Sequence, residues 1–175
     1  MAFKVFEPPP LRLEARNLFA GLSFESVIST ESNWPVGKSY GYAVAADAAG
    51  NTYMRGIFEG TADFDRNAVH FGNQDILTAR GTGDAFLAKY SPSGQFLWAR
   101  RMGSDSTTVT FGNDTVQGIA IDNSGNVFLT GEFDATADFG INLLTSTGET
   151  DAYIAKIDTN GNFLWTTSWG TEGRD

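Results

Sequence analysis

The sequence predicts an all-β protein made of two sibling units, each a four-stranded antiparallel sheet, and three observations carry that prediction. The segment from Asp84 to Trp98 returns as Asp151 to Trp165, with 8 of 15 positions identical at an offset of 67, the signature of a repeat architecture. Residues 42–64 return as 117–139 at an offset of 75, with 10 of 23 positions identical. The 20 Gly among 175 residues, with many Asn, Asp, Ser and Thr, require many tight turns and hence many short strands.

The first unit spans 39–103. Tyr40 to Ala46 is a strand of small residues, and Asp47-Ala48-Ala49-Gly50-Asn51 a hairpin turn whose glycine can take positive φ. Thr52 to Phe58 is the second strand. Thr61-Ala62-Asp63-Phe64-Asp65 opens a long connection reaching about Gly83. Asp84 to Tyr90 is the third strand, Ser91-Pro92-Ser93-Gly94 the turn, and Phe96 to Met102 the fourth strand, which makes a meander. The third strand is apolar on both faces: Phe86, Ala88 and Tyr90 alternate with Ala85 and Leu87, and only Lys89 interrupts. A strand greasy on both sides must be covered on both, and neighbouring units supply that cover.

The second unit spans 104–170. Gly112 to Asp122 repeats the inner strand, Asn123-Ser124-Gly125-Asn126 the turn, Val127 to Phe133 the second strand, and Thr136-Ala137-Asp138-Phe139 matches Thr61 to Phe64. The offset falls from 75 to 67 beyond this point, so the first unit carries 8 extra residues within Arg66 to Thr82, as a surface insertion. Residues 171–175 begin a third unit, since Gly173-Arg174-Asp175 matches Gly112-Asn113-Asp114.

These segments carry a resemblance. Gly125 to Phe133, Thr136 to Phe139, Asp151 to Asp158, Gly161 to Trp165 and Gly118 to Asp122 resemble the bacterial seven-bladed beta-propeller repeat, over roughly 37–175. The resemblance implies about two blades of a β-propeller, partial and not closed, with the first strand of each lining a central channel. It implies exported or surface bacterial proteins and no reaction.

Residues 1–21 read as a leader or linker. Pro8-Pro9-Pro10 stops helix and ladder alike, and Glu7, Arg12, Glu14 and Arg16 break up any secretory apolar stretch. Leu13-Glu14-Ala15-Arg16-Asn17-Leu18-Phe19 resembles the Leu-Glu-Pro-Arg-x-Leu-Leu motif near the start of large bacterial exported proteins. Leu13, Glu14, Arg16 and Leu18 match, while Ala15 and Phe19 depart. The other reading is a short amphipathic turn that caps the fold. Residues 22–38 hold a strand, Leu22 to Thr30, then a loop through Trp34-Pro35 and Gly37. Propellers often close by pairing an N-terminal strand with the last blade, and Leu22 to Thr30 is placed to do so.

Composition bounds the function. A net charge of −9, from 12 basic and 21 acidic residues, repels a phosphate backbone and anionic lipid. No cysteine is present, which excludes disulfides, thiolate metal sites and cysteine nucleophiles. The one histidine, His70, leaves no pair for zinc and no obvious triad. No apolar run reaches membrane-spanning length.

Candidate chemistry is sparse. Asp158-Thr159-Asn160-Gly161-Asn162 has oxygen side chains at alternate positions, but Phe163 and Trp169 stand where a calcium loop needs Gly and Glu, so it reads as a turn. Asp63, Asp65 and Asp138 occupy equivalent connections, where they could bind calcium or accept backbone N–H bonds. Trp98 and Trp165 each follow a glycine by four residues, as in the tryptophan-docking motif of quinoprotein repeats, and read as rings wedged between blades. Asn113-Asp114-Thr115 is a glycosylation triplet leading into an inner strand. Gly81-Thr82-Gly83 is no dinucleotide fingerprint. Arg100-Arg101 reads as a solvated strand end.

The expectation is a non-catalytic repeat module, extracellular or on the cell surface, that binds a protein or glycan through loops at one end of its blades, with no cofactor, metal or catalytic residue assigned. Its other partners would be further blades of the same protein or another copy. The alternative is the scaffold part of a propeller enzyme whose catalytic residues lie in other blades.

Overall fold

The computed structural model describes residues 38–65, 75–104 and 114–172. The leader, the Leu22 to Thr30 strand, Trp34-Pro35, His70, Gly112-Asn113 and the Gly173 to Asp175 match all lie outside these residues. Within them every element is a strand: β1 (Ser39–Ala46), β2 (Thr52–Phe58), β3 (Thr61–Asp63), β4 (Ile76–Thr78), β5 (Asp84–Tyr90), β6 (Phe96–Ser104), β7 (Gly118–Ile121), β8 (Val127–Phe133), β9 (Thr136–Asp138), β10 (Leu143–Thr145), β11 (Asp151–Ile157) and β12 (Phe163–Trp169).

The first blade is the antiparallel run β1-β2-β5-β6, the second β7-β8-β11-β12. The two meanders are those the repeat predicts. Each long connection between second and third strands, left without structure in the sequence reading, folds into a short hairpin: β3 with β4, and β9 with β10. Asp63 and Ile76 bracket the first hairpin's turn, Asp138 and Leu143 the second's. The 8-residue excess of the first unit therefore lies in sequence between β3 and β4 and leaves the sheet register untouched.

The blades lie face against face. Tyr53, Ala85, Leu87, Trp98 and Met102 of the first meet Val127, Leu129, Phe133, Tyr153, Ala155 and Ile157 of the second in one apolar cluster. The first blade's other face forms a second cluster, in which Phe64 beyond β3 stacks on Phe86 at 4.9 Å. This explains why β5 is buried from Asp84 through Lys89, as its two-sided apolar sequence requires. In the second blade β11 alternates buried and half-buried residues, and β12 exposes Trp165 and Trp169. Glycine is required where the inner segment crosses β8: a Cβ on Gly131 would lie 1.9 Å from the Thr115 carbonyl, and one on the equivalent Gly56 1.8 Å from that of Tyr40.

Candidate functional site: the junction between blades

Three turns share the pattern Asp-x-x-Gly-Asn and one geometry. In each, the Asp Oδ1 accepts from the backbone N–H two and four residues on, and its Oδ2 accepts from the Asn side chain: Asp47 with Asn51, Asp122 with Asn126, Asp158 with Asn162. Hydrogen bonds from Asn126 hold the Asp122 carboxyl down at about 2. The oxygen ligands of the supposed calcium loop are thus used inside the turn. Antiparallel topology puts these turns at one end of the blades and the β3-β4 and β9-β10 hairpins at the other.

The Asp158 to Asn162 turn is seated on the first blade. Trp98 Nε1 donates to the Thr159 carbonyl at 3.1 Å, and Lys89 Nζ donates to the same carbonyl at 3.0 Å and to the Thr159 hydroxyl at 2.8 Å. Arg100 Nε donates to the Gly161 carbonyl at 2.6 Å and Nη2 to the Asn160 carbonyl at 3.3 Å. Gly161 has φ of 83° and lies so close to the indole that a Cβ would be 2.8 Å from it. Only glycine fits on both counts. Lys89 is 4% exposed. Burial foremost lowers its ammonium, and the Asp47 carboxylate, 3.8 Å away, draws it back up. The ammonium lies 4.9 Å from the Tyr53 ring centroid, and burial foremost pushes that phenol up to about 12.

A second stitch runs along the seam toward the hairpin end. β9 adds to the edge of β6, pairing Gly103 with Asp138 and Ser104 with Ala137, so the second blade's hairpin extends the first blade's sheet. Arg101 ties Asp84, fully buried, at 2.7 Å, and lies 4.0 Å from Asp138, which Arg80 also holds at 2.7 Å. Where the chain passes between blades, Ser104 donates its N–H to Asp114 at 2.6 Å, and its hydroxyl lies 2.9 Å from Asp114 and 2.8 Å from Asp134. Burial foremost pushes the Asp114 carboxyl up to about 6. A shallow cleft of about 290 Å³ follows this seam, lined by Arg100, Arg101, Asp138, Ile141 and Phe163, but both guanidiniums already have protein partners.

The sequence candidates fall into place around these stitches. Trp98 is the wedged ring; Trp165, its repeat counterpart, is 40% exposed. Asp63 caps the Asp65 N–H and Asp138 the Gly140 N–H, so both work as turn acceptors on hairpins of different blades. Arg100 and Arg101, read as a solvated pair, are instead the junction's cations. Asp114 of the glycosylation triplet is buried. Gly83 precedes β5 and belongs to no phosphate loop. The sequence reading missed Lys89, the residue that breaks an apolar strand; a lone lysine in a two-sided apolar run was the available signal.

Two four-stranded blades stacked on a shared apolar face, with the second blade's hairpin stitched to the first blade's edge, define a propeller-type repeat protein. Residues 97–132 match the family model described as Beta-propeller repeat. It is also similar to a protein described as an uncharacterized WD repeat-containing protein of Acanthamoeba polyphaga mimivirus, at 31% identity over 113 residues. That match covers 55% of this chain, which spans about 8% of the relative's length.

Proposed function

We propose that the chain is a non-catalytic β-propeller repeat module of an exported or cell-surface bacterial protein, and that it binds a protein or glycan through its hairpin end. One observation carries the reading: the charged groups at the junction, Lys89, Arg100, Arg101, Asp84 and Asp138, are bonded to the fold itself, while the hairpin end presents apolar Ile141 and Leu143, 52% and 65% exposed. Exposed apolar residues on a loop held by a rigid sheet suit recognition. The β3-β4 connection is 8 residues longer than the β9-β10 connection, a difference through which binding specificity would vary between blades.

The test pairs a glycan and surface-protein binding panel with the full chain and its Ile141→Ser/Leu143→Ser variant. Saturable binding that falls at least tenfold in the variant supports the reading. Equal binding by both proteins moves the ligand away from this end and ends it. Fractionation of the native host tests export, and a wholly cytosolic protein contradicts that part.

A further inference from the structure

We propose that the outer edge of β10 is a strand-addition site, and that its partner is an extended peptide segment of another protein, paired through the backbone of Leu143 and Thr145. This rests on the reading that the hairpin end is the binding end, and it narrows the protein-or-glycan ligand to a peptide.

The hairpin's own hydrogen bonds set the edge. Phe139 N–H donates to the Asn142 carbonyl at 3.1 Å, and Ser146 N–H to the Ala135 carbonyl at 2.8 Å. Bonded and unbonded pairs alternate along an antiparallel ladder. Leu144 is therefore bonded to Ala137, while Leu143 with Asp138 and Thr145 with Thr136 are unbonded pairs. The N–H and C=O groups of Leu143 and Thr145 point away from β9. The same alternation turns the Asp138 backbone toward β6, where β9 does pair, so the seam is itself built by strand addition. β10 ends the six-stranded sheet β1-β2-β5-β6-β9-β10. Among the described residues no strand receives its outward groups, and Leu143 and Thr145 are exposed.

The edge is also unguarded. Sheet edges are commonly protected by lysine, proline or a bulge. Leu143-Leu144-Thr145 has no charge and no proline, and its register runs without a bulge. Blades stack on faces, whereas β10 lies two strands beyond β6 in the plane of the sheet, so blade stacking leaves this edge open. β4 carries the same ladder, with Ala79 N–H to the Gly60 carbonyl at 2.7 Å and Phe64 N–H to the Asp75 carbonyl at 2.8 Å. Its Ile76, however, is half-buried where Leu143 is exposed.

Side chains specify the partner, because directly opposed residues on one face of an antiparallel pair interact. Exposed Leu143 calls for an apolar residue. Leu144, packed against the shared core, calls for a second on the other face. The Thr145 hydroxyl lies 3.0 Å from that of Thr136, and a partner Ser or Thr extends the row. An antiparallel partner thus reads Thr-Val-Ile in its own direction, and the net charge of −9 favours basic flanks.

The probe is the capped peptide Lys-Lys-Thr-Val-Ile-Lys-Lys, titrated into the full chain and followed by amide chemical shifts. Thr145→Pro removes one outward N–H, a change an edge strand accepts, and Thr145→Ala keeps it. The expected result is saturable binding centred on Leu143 and Thr145, at least tenfold weaker in Thr145→Pro and about equal in Thr145→Ala. Methylating the peptide nitrogens of Thr and Ile, which face β10, abolishes binding, while methylating that of Val, which faces away, leaves it; this arm holds even if the proline variant misfolds. No saturable binding, or binding indifferent to Thr145→Pro or to the methylated nitrogens, overturns the proposal. A glycan or surface protein that Ile141→Ser/Leu143→Ser loses and Thr145→Pro retains overturns it too, while leaving the hairpin-end reading intact.

Discussion

Trp98 and Trp165 sit in the same Phe-Leu-Trp sequence, and their surroundings give them opposite energetic weight. Trp98 buries its ring between blades, donates to Thr159 and carries Arg100 at 5.5 Å from its centroid. Trp98→Ala therefore lowers unfolding free energy by ~3–5 kcal/mol, whereas Trp165→Ala changes it by about 0.5 kcal/mol or less in dilute solution. Urea titration at low concentration compares them, and equal losses would remove the wedge argument. Asp114 governs the acid-side behaviour. Its carboxyl titrates at about 6 in the fold against 3.8 ordinarily, so the stability tied to its protonated form is complete below about pH 4 and is lost as pH rises through about 6. The Ser104 N–H and hydroxyl pull this carboxyl back down, while the nearby Asp134 and Asp84 carboxylates add to the rise that burial causes. Asp114→Asn flattens the pH–Tm profile over this window and stabilises the protein at pH 7.5 by on the order of 2 kcal/mol. A profile as steep as wild type's would clear Asp114 of the effect.

At the scale of elements, the β9-β10 hairpin does what the four-stranded repeat alone does not: it joins the second blade to the first blade's edge. Three residues of Thr-Ala-Asp are too short to signal a strand by alternation, and they become one because Gly103-Ser104 offers free backbone partners. The ion pairs along this edge differ in value. Arg101→Ala leaves the Asp84 carboxylate buried without its cation and costs ~3 kcal/mol or more. Arg80→Ala removes a pair whose arginine is 43% exposed and costs at most ~0.5 kcal/mol. Thermal melts of the two variants, with hydrogen exchange at Ser104 and Ala137 to follow the stitch, separate them; similar melting points would contradict the ranking.

At the scale of the whole molecule, the carboxylates repeated from blade to blade serve turns and seams. Asp63 and Asp138 cap their own hairpins, and Asp138 also holds Arg80. Millimolar calcium is accordingly expected to leave Tm unchanged in scanning fluorimetry, and a clear rise would show that a cation displaces Arg80. Strand order, the Asp-x-x-Gly-Asn turns and the stacking of two sheets were all readable before any coordinates, because alternation, turn chemistry and the 75- and 67-residue offsets are local or periodic features of the chain. The seating of Asp158 to Asn162 on Lys89, Trp98 and Arg100 was not, because it joins residues 61 to 70 positions apart. By itself the amino-acid order determined that there are two like blades and the sequence of strands within each. Only the tertiary structure decided which of two identical tryptophans is buried, since a ring's solvent exposure depends on what stands against its blade, and that is set by position in the stack.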